Sequence, residues 1–307
     1  MSKKVVILFF ISVVSVSVMA CDICGSGVGG SYIGILPEFK KRFIGLRYQQ
    51  NGLISHLGPG GSNSYLTATE TFQVMEFWGA VNISKRFRIA GFVPVNFIRR
   101  SSQQAVEKEQ GLGDITAIGY YQLLNKQQTL RNKLLVQSLW IGTGIKLPVG
   151  RFNPEDKNML QSSQNTFQLG TGSLDFSIHT MYDIRFQNIG INTNLSYKAN
   201  TRNKYAYRYG NKFTGNVLAY YKISTGKKSG IAPNAGLLFE TSAKDWKTRD
   251  IHVWETGGRS LMRTVGMELN WEKISIGLNW QAPVYQELGE GKLKAKNRAM
   301  IHLSISF

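Results

Sequence analysis

Apolar and polar residues alternate along most of this chain with a period of two. Between 273 and 280, Ile274, Ile276, Leu278 and Trp280 alternate with Lys273, Ser275, Gly277 and Asn279. Val265, Met267, Leu269 and Trp271 alternate with Gly266, Glu268 and Asn270, and Ile189, Ile191, Leu195 and Tyr197 oppose Gly190, Asn192, Asn194, Ser196 and Lys198. At the C-terminus Ile301, Leu303, Ile305 and Phe307 alternate with His302, Ser304 and Ser306. Successive side chains of a strand point to opposite faces. Each stretch therefore predicts a strand with one oily and one wet face. The pattern predicts about twelve strands, with ten or fourteen as the alternatives. They fall near 39–50, 66–83, 86–99, 110–124, 133–147, 166–185, 188–200, 211–223, 230–241, 258–271, 273–282 and 297–307.

The connections carry their own pattern. Those at Ser84-Lys85, Phe186-Gln187 and Glu272-Lys273 are short, and those at 125–132 and 224–229 are modest. The others, at 51–65, 100–110, 148–165, 201–210, 242–257 and 282–296, are longer and rich in polar residues and glycine. Short and long connections alternate, as in an outer-membrane barrel with short periplasmic turns and longer outer loops. The expected strands also exceed the 5–6 residues usual in soluble sheets and suit the roughly 9–11 that a tilted membrane strand needs. In hydrocarbon a sheet cannot leave an open edge. The expected fold is thus all-β, a single closed antiparallel transmembrane β-barrel over 39–307.

The N-terminus reads differently. Lys3 and Lys4 precede an apolar run over 5–18, and Val18-Met19-Ala20 offers small or branched residues for cleavage. Residues 1–20 read as a secretory signal peptide, since the run falls short of the roughly 20 residues of a spanning helix. Residues 21–38 are a glycine-rich lead holding the only cysteines, Cys21 and Cys24. A Cys-x-x-Cys pair can be a disulfide, a redox pair or half a metal site, and Cys21 also stands where a lipidated cysteine would. The disulfide or lipidation readings are preferred. No metal site is expected, because the histidines, His56, His179, His252 and His302, form no close pair. Gly25-Ser26-Gly27-Val28-Gly29-Gly30 satisfies a G-x-G-x-x-G pattern, but a nucleotide loop needs a strand before it and a helix after it. No cofactor is expected.

Composition changes the picture little: 42% hydrophobic residues and a mean hydropathy of -0.18 fit a barrel with a polar lumen as well as a soluble enzyme. Charge changes it more. Lys and Arg number 37 against 19 Asp and Glu, a formal net charge of +18. Such an excess often signals nucleic-acid binding, which export argues against. Much of it sits in loops and at strand ends, as at Lys40, Arg42, Arg99, Lys228, Lys292, Lys294 and Lys296, and reads as rims that meet lipid phosphates. The alternation places Arg86, Arg88, Asp114, Asp175, His179, Asp183, Lys198, Glu268, Lys273, Arg298 and His302 toward the lumen. Rings of charged side chains set pore selectivity, and this set mixes both signs. His302 and Ser304 share a face, as a serine hydrolase pair would. They point to the lumen rather than to lipid, so no enzyme is expected.

Three motifs carry a resemblance. Gly111-Leu112-Gly113-Asp114-Ile115, then Gly142-Thr143-Gly144-Ile145-Lys146-Leu147-Pro148-Val149-Gly150, then Leu169-Gly170-Thr171-Gly172-Ser173-Leu174-Asp175 stand in this order. They are similar to the GLGD, G-x-K-x-P-x-G and LGTGS-x-D segments of the outer-membrane transporter family named for the meta-pathway of phenol degradation. The C-terminal Phe307 resembles the targeting signature read by the barrel-assembly machinery. The resemblance implies an outer-membrane channel or transporter of a Gram-negative bacterium, passing small solutes, hydrophobic or aromatic ones among them. Its expected neighbours are outer-membrane lipid and lipopolysaccharide, with no nucleic acid. The alternative is a structural or binding barrel that acts through its outer loops.

Overall fold

A computed structural model describes residues 42–131, 133–153, 166–226, 228–248 and 251–307. The expected signal peptide and the Cys21–Cys24 lead lie outside these residues. The chain forms a closed antiparallel barrel of twelve strands with almost no helix. The strands are β1 (Phe43–Ser55), β2 (Ala68–Asn82), β3 (Phe87–Ser101), β4, in two parts (Val106–Leu112 and Ile115–Leu130), β5 (Lys133–Leu147) and β6 (Asp175–Phe186). There follow β7 (Ile189–Ala199), β8 (Lys212–Tyr221), β9 (Ser229–Ser242), β10 (Gly258–Trp271), β11 (Ile274–Leu288) and β12 (Arg298–Ser306). Each pairs with its neighbour in sequence, and β12 closes on β1 from Phe43 opposite Ser306 to Gln50 opposite Ala299. No strand edge is left open, so every backbone ladder is satisfied without water.

The period-two pattern sorts the side chains. Ile44, Phe77, Ile89, Ile141, Ile178, Val217, Leu237, Val265, Leu278, Ile301, Leu303 and Ile305 are all exposed on the outside. Their polar neighbours Arg47, Glu76, Arg88, Asn192, Asn216, Thr264, Glu268, His302 and Ser304 are buried inside. This inverts a soluble protein, and an exposed apolar surface so extensive belongs in lipid.

Short turns gather at one end, together with Arg42 and Phe307. Two of them need only two residues, with Gln187 at φ 52 and Glu272 at φ 51, because a hairpin this tight requires left-handed backbone. The long-loop end departs from expectation in four places. The connection expected over 100–110 is a hairpin, since β3 continues to Ser101 and pairs with Val106–Leu112. The connection expected over 282–296 is largely strand, since β11 runs to Leu288 past a bulge beside Leu261 and Met262. The loops after β7 and β9 form a small sheet of Tyr207–Arg208, Trp246–Lys247 and Ile251–His252. Residues 166–174, expected as the start of β6, are not strand but fold into the barrel mouth. At the short-turn end, the modest connection expected over 125–132 is also strand, through Leu130, with another bulge between Gln122 and Leu124.

Candidate functional site

The three motifs meet at one point inside the barrel. β4 breaks between Leu112 and Ile115, where the Gly113 N–H bonds the Pro94 carbonyl at 2.8 Å, and the break turns Asp114 inward. Asp114 is buried, and its Oδ1 accepts from the Gly150 N–H at 3.0 Å. Its Oδ2 accepts from the Thr171 N–H and hydroxyl, both at 2.8 Å. Lys146 on β5 places its Nζ 2.7 Å from Asp114 and 2.6 Å from Asp175, and donates also to the Thr171 hydroxyl. Asp175 accepts in turn from the Ser173 hydroxyl and the Thr201 N–H, each at 2.9 Å. Gly170 has to be glycine here: a Cβ would lie 2.6 Å from the Gly150 oxygen and 2.5 Å from Asp114 Oδ1. A buried cation between two carboxylates, with the remaining lone pairs met by N–H and O–H groups, is the arrangement that offsets desolvation.

This clasp holds 166–174 inside the long-loop end. Leu169 there joins an apolar cluster with Leu53, Phe72, Ile98, Leu238, Met262 and Leu288. Asn96 donates to the Leu169 carbonyl at 2.8 Å, and the Arg100 guanidinium lies 4.7 Å over the Phe167 ring. The clasp stands on β4 to β6, whereas the cluster comes from β1 to β3 and β9 to β11. The segment thus bridges the lumen and narrows it.

Charged pairs line the lumen around the bridge. Arg47 pairs with Glu76. Arg298 and Lys212 hold Glu240 at 2.6 and 3.0 Å, and His302 Nε2 lies 3.1 Å from Glu268. Toward the short-turn end a second apolar cluster contains Phe43, Trp78, Phe92, Tyr120, Trp140 and Met181. The Arg47 guanidinium stands 5.2 Å from the Trp78 ring centre, and that of Arg88 stands 5.2 Å from Phe43. On β8 to β11 neutral polar side chains stand among these ion pairs. Asn216, Asn234, Thr264 and Asn279 are buried there with polar atoms that find no partner among the described residues. These are both amide atoms of Asn216, Oδ1 of Asn234, Oγ1 of Thr264 and Nδ2 of Asn279.

Of the residues expected in the lumen, Arg88, Asp114, Asp175, His179, Glu268, Arg298 and His302 are buried on the inner face. Asp183 and Lys198 are half-buried: Asp183 accepts from Tyr220 at 3.1 Å and Asn192 at 3.2 Å, and Lys198 stands 3.9 Å from Asp175. Arg86 and Lys273 are instead exposed in the short turns, where the strand's two faces no longer apply. His302 makes no pair with Ser304: its Nε2 faces Glu268, and its Nδ1 has no partner among the described residues. Phe307 is exposed, its N–H bonded to the Arg42 carbonyl at 2.9 Å. Sequence reasoning missed Arg47, Glu76, Lys146, Lys212 and Glu240 as inner-wall residues. The first two were readable, since Arg47 lies between Leu46 and Tyr48, and Glu76 between Met75 and Phe77. Lys146 stood within a motif, but nothing local marked it as the partner of Asp114 and Asp175.

Neither a family model nor a curated protein matches the sequence. Solved structures do. An outer membrane channel from Pseudomonas putida F1 aligns over 87% of this chain and 96% of its own, with TM-score 0.58 and 13% identity. The β domain of the Bordetella autotransporter BrkA aligns over 87% and 100%, with TM-score 0.48 and 9% identity. What the chain shares with the Pseudomonas putida channel is its fold, that of an outer-membrane β-barrel.

Proposed function

We propose that this protein is a passive outer-membrane channel for small solutes in a Gram-negative bacterium, its long-loop end outward. The carrying observation is the closed twelve-strand barrel with polar residues on its inner face and apolar residues on its outer face. Barrels of about eight strands are filled by side chains, and those of 16–18 are open. Twelve strands with an inward-folded segment fit a narrow, selective passage. The aromatic cluster of Phe43, Trp78, Phe92 and Trp140 supports apolar or aromatic solutes with a polar end.

Refolded protein in liposomes tests this. Swelling in small neutral solutes and discrete single-channel steps are expected; a folded barrel that does neither rejects the reading. A second reading, a binding barrel, draws support from Tyr65, Tyr205 and Trp254, exposed in the long loops. Capture of a surface partner by intact cells, lost on deleting the loop around Trp254, would favour it.

A further inference from the structure

The outer wall at the long-loop end carries a row of cations that no acid matches. On the rung where β4, β3, β2 and β1 pair, Lys108 stands opposite Arg99, Arg99 opposite Thr71, and Thr71 opposite Gly52. The chain continues the row past β1, because the Lys296 N–H bonds the Gly52 carbonyl at 2.8 Å. The side chain of Lys296 lies over the bare Gly52, where a Cβ would stand 3.1 Å from Lys296 Cβ. Lys108, Arg99 and Lys296 are exposed, and none forms an ion pair among the described residues. Strands are about 4.8 Å apart, so the row spans about 19 Å. Like charges directly across a rung repel, and a basic row of this kind calls for an external anion.

The two rows beneath say which anion. The next outward rung toward the short-turn end holds Gln110, Phe97, Gln73 and Gln50. The one below holds Leu112, Val95, Met75, Tyr48 and Ile301. Neither rung contains an acidic residue. Cations, then side-chain amides, then an apolar band descend the same face of the same strands.

We infer that this face binds a phosphorylated glycolipid of the outer leaflet: its phosphates on Lys108, Arg99 and Lys296, its sugar on the glutamines, its acyl chains on the apolar rung. A phospholipid with one phosphate and no sugar would use a single cation and leave the amide row idle. The inference rests on the outer-membrane placement proposed above, but not on conduction.

The full-length chain, purified in detergent and followed by native mass spectrometry, tests it with bisphosphorylated lipid A, monophosphoryl lipid A and phosphatidylglycerol. Lipid A should bind about tenfold tighter than phosphatidylglycerol, with the monophosphoryl form between. The triple variant Arg99→Gln, Lys108→Gln, Lys296→Gln should bring lipid A down to the phosphatidylglycerol level, and Lys108→Gln alone should give part of that loss. Arg259→Gln, on β10 of another wall, should leave lipid A binding unchanged. Retention of lipid A by the triple variant, equal binding of phosphatidylglycerol by the parent, or an equal loss in Arg259→Gln would overturn the site. A parent that binds lipid A yet never conducts would reject the channel while leaving this face intact.

Discussion

Two walls of the same lumen treat buried polarity in opposite ways. On β4 to β6, the charged groups of Asp114, Lys146 and Asp175 are matched by one another and by Thr171, Ser173, Gly150 and Thr201. On β8 to β11, Asn216, Asn234, Thr264 and Asn279 keep atoms with no protein partner. Both walls come from the same alternation of side chains, so strand pattern does not cause the difference. The clasp wall grips the segment 166–174 through charges and hydrogen bonds, whereas β9 to β11 meet it through the apolar Leu238, Met262 and Leu288. A paired network fixes geometry, whereas unpaired buried groups cost free energy and leave the wall less constrained. The clasp wall is the frame on this reading, and the amide wall the path.

The largest expected effect breaks the frame. Lys146→Met leaves Asp114 and Asp175 facing each other with only Lys198, 3.9 Å from Asp175, beside them, and loss of one partner in a buried ion pair costs about 3–5 kcal/mol. The heat-induced shift in gel mobility should move to lower temperature, and conductance should rise as 166–174 leaves the lumen. Unchanged conductance would mean that the segment is not the constriction. Gly170→Ala comes next, because its Cβ meets the Gly150 oxygen at 2.6 Å. Overpacking of this kind costs about 1–3 kcal/mol, measurable by the same gel shift.

The amide wall predicts a different signature. In Asn234→Leu with Asn279→Leu, apolar groups replace the unpartnered atoms, so stability should change by less than about 1 kcal/mol. Solute passage in swelling assays should nevertheless fall several-fold. A stability loss as large as that of Lys146→Met would show that the two walls do not differ in kind.

The smallest effect lies outside both walls. His56 is buried in the loop after β1, and burial holds its imidazole below its ordinary range. The folded state then binds fewer protons than the unfolded state below about pH 6.5. Stability contributed by this loop should fall on acidification through that range, and His56→Gln should abolish the dependence. Proteolysis of the loop at pH 7.5 and pH 5.5 would read it.

Much of the barrel was legible because its cause is local. The alternation through Ile274–Trp280 or Ile301–Phe307 depends only on residues two apart, and lipid outside with polar groups inside preserves it over whole strands. The interior partnerships were less so. Asp114 and Asp175 could be placed on the inner face, but not in a shared clasp. Arg86 and Lys273 fit the alternation on paper, but each stands in the turn one residue before its strand begins, at Phe87 and Ile274, where no inner face exists.

The sequence by itself determined the two faces, a strand count of about twelve and the alternation of short and long connections, since these follow from side-chain period and turn length; the structure fixed the count at twelve. Only the tertiary structure decided that residues 166–174 fold inward, because their fate depends on a carboxylate at 114 and an ammonium at 146 that strand pairing brings beside them. It alone also set Lys108, Arg99 and Lys296 in one row: interstrand register, which no local pattern encodes, aligns charges that lie far apart along the chain.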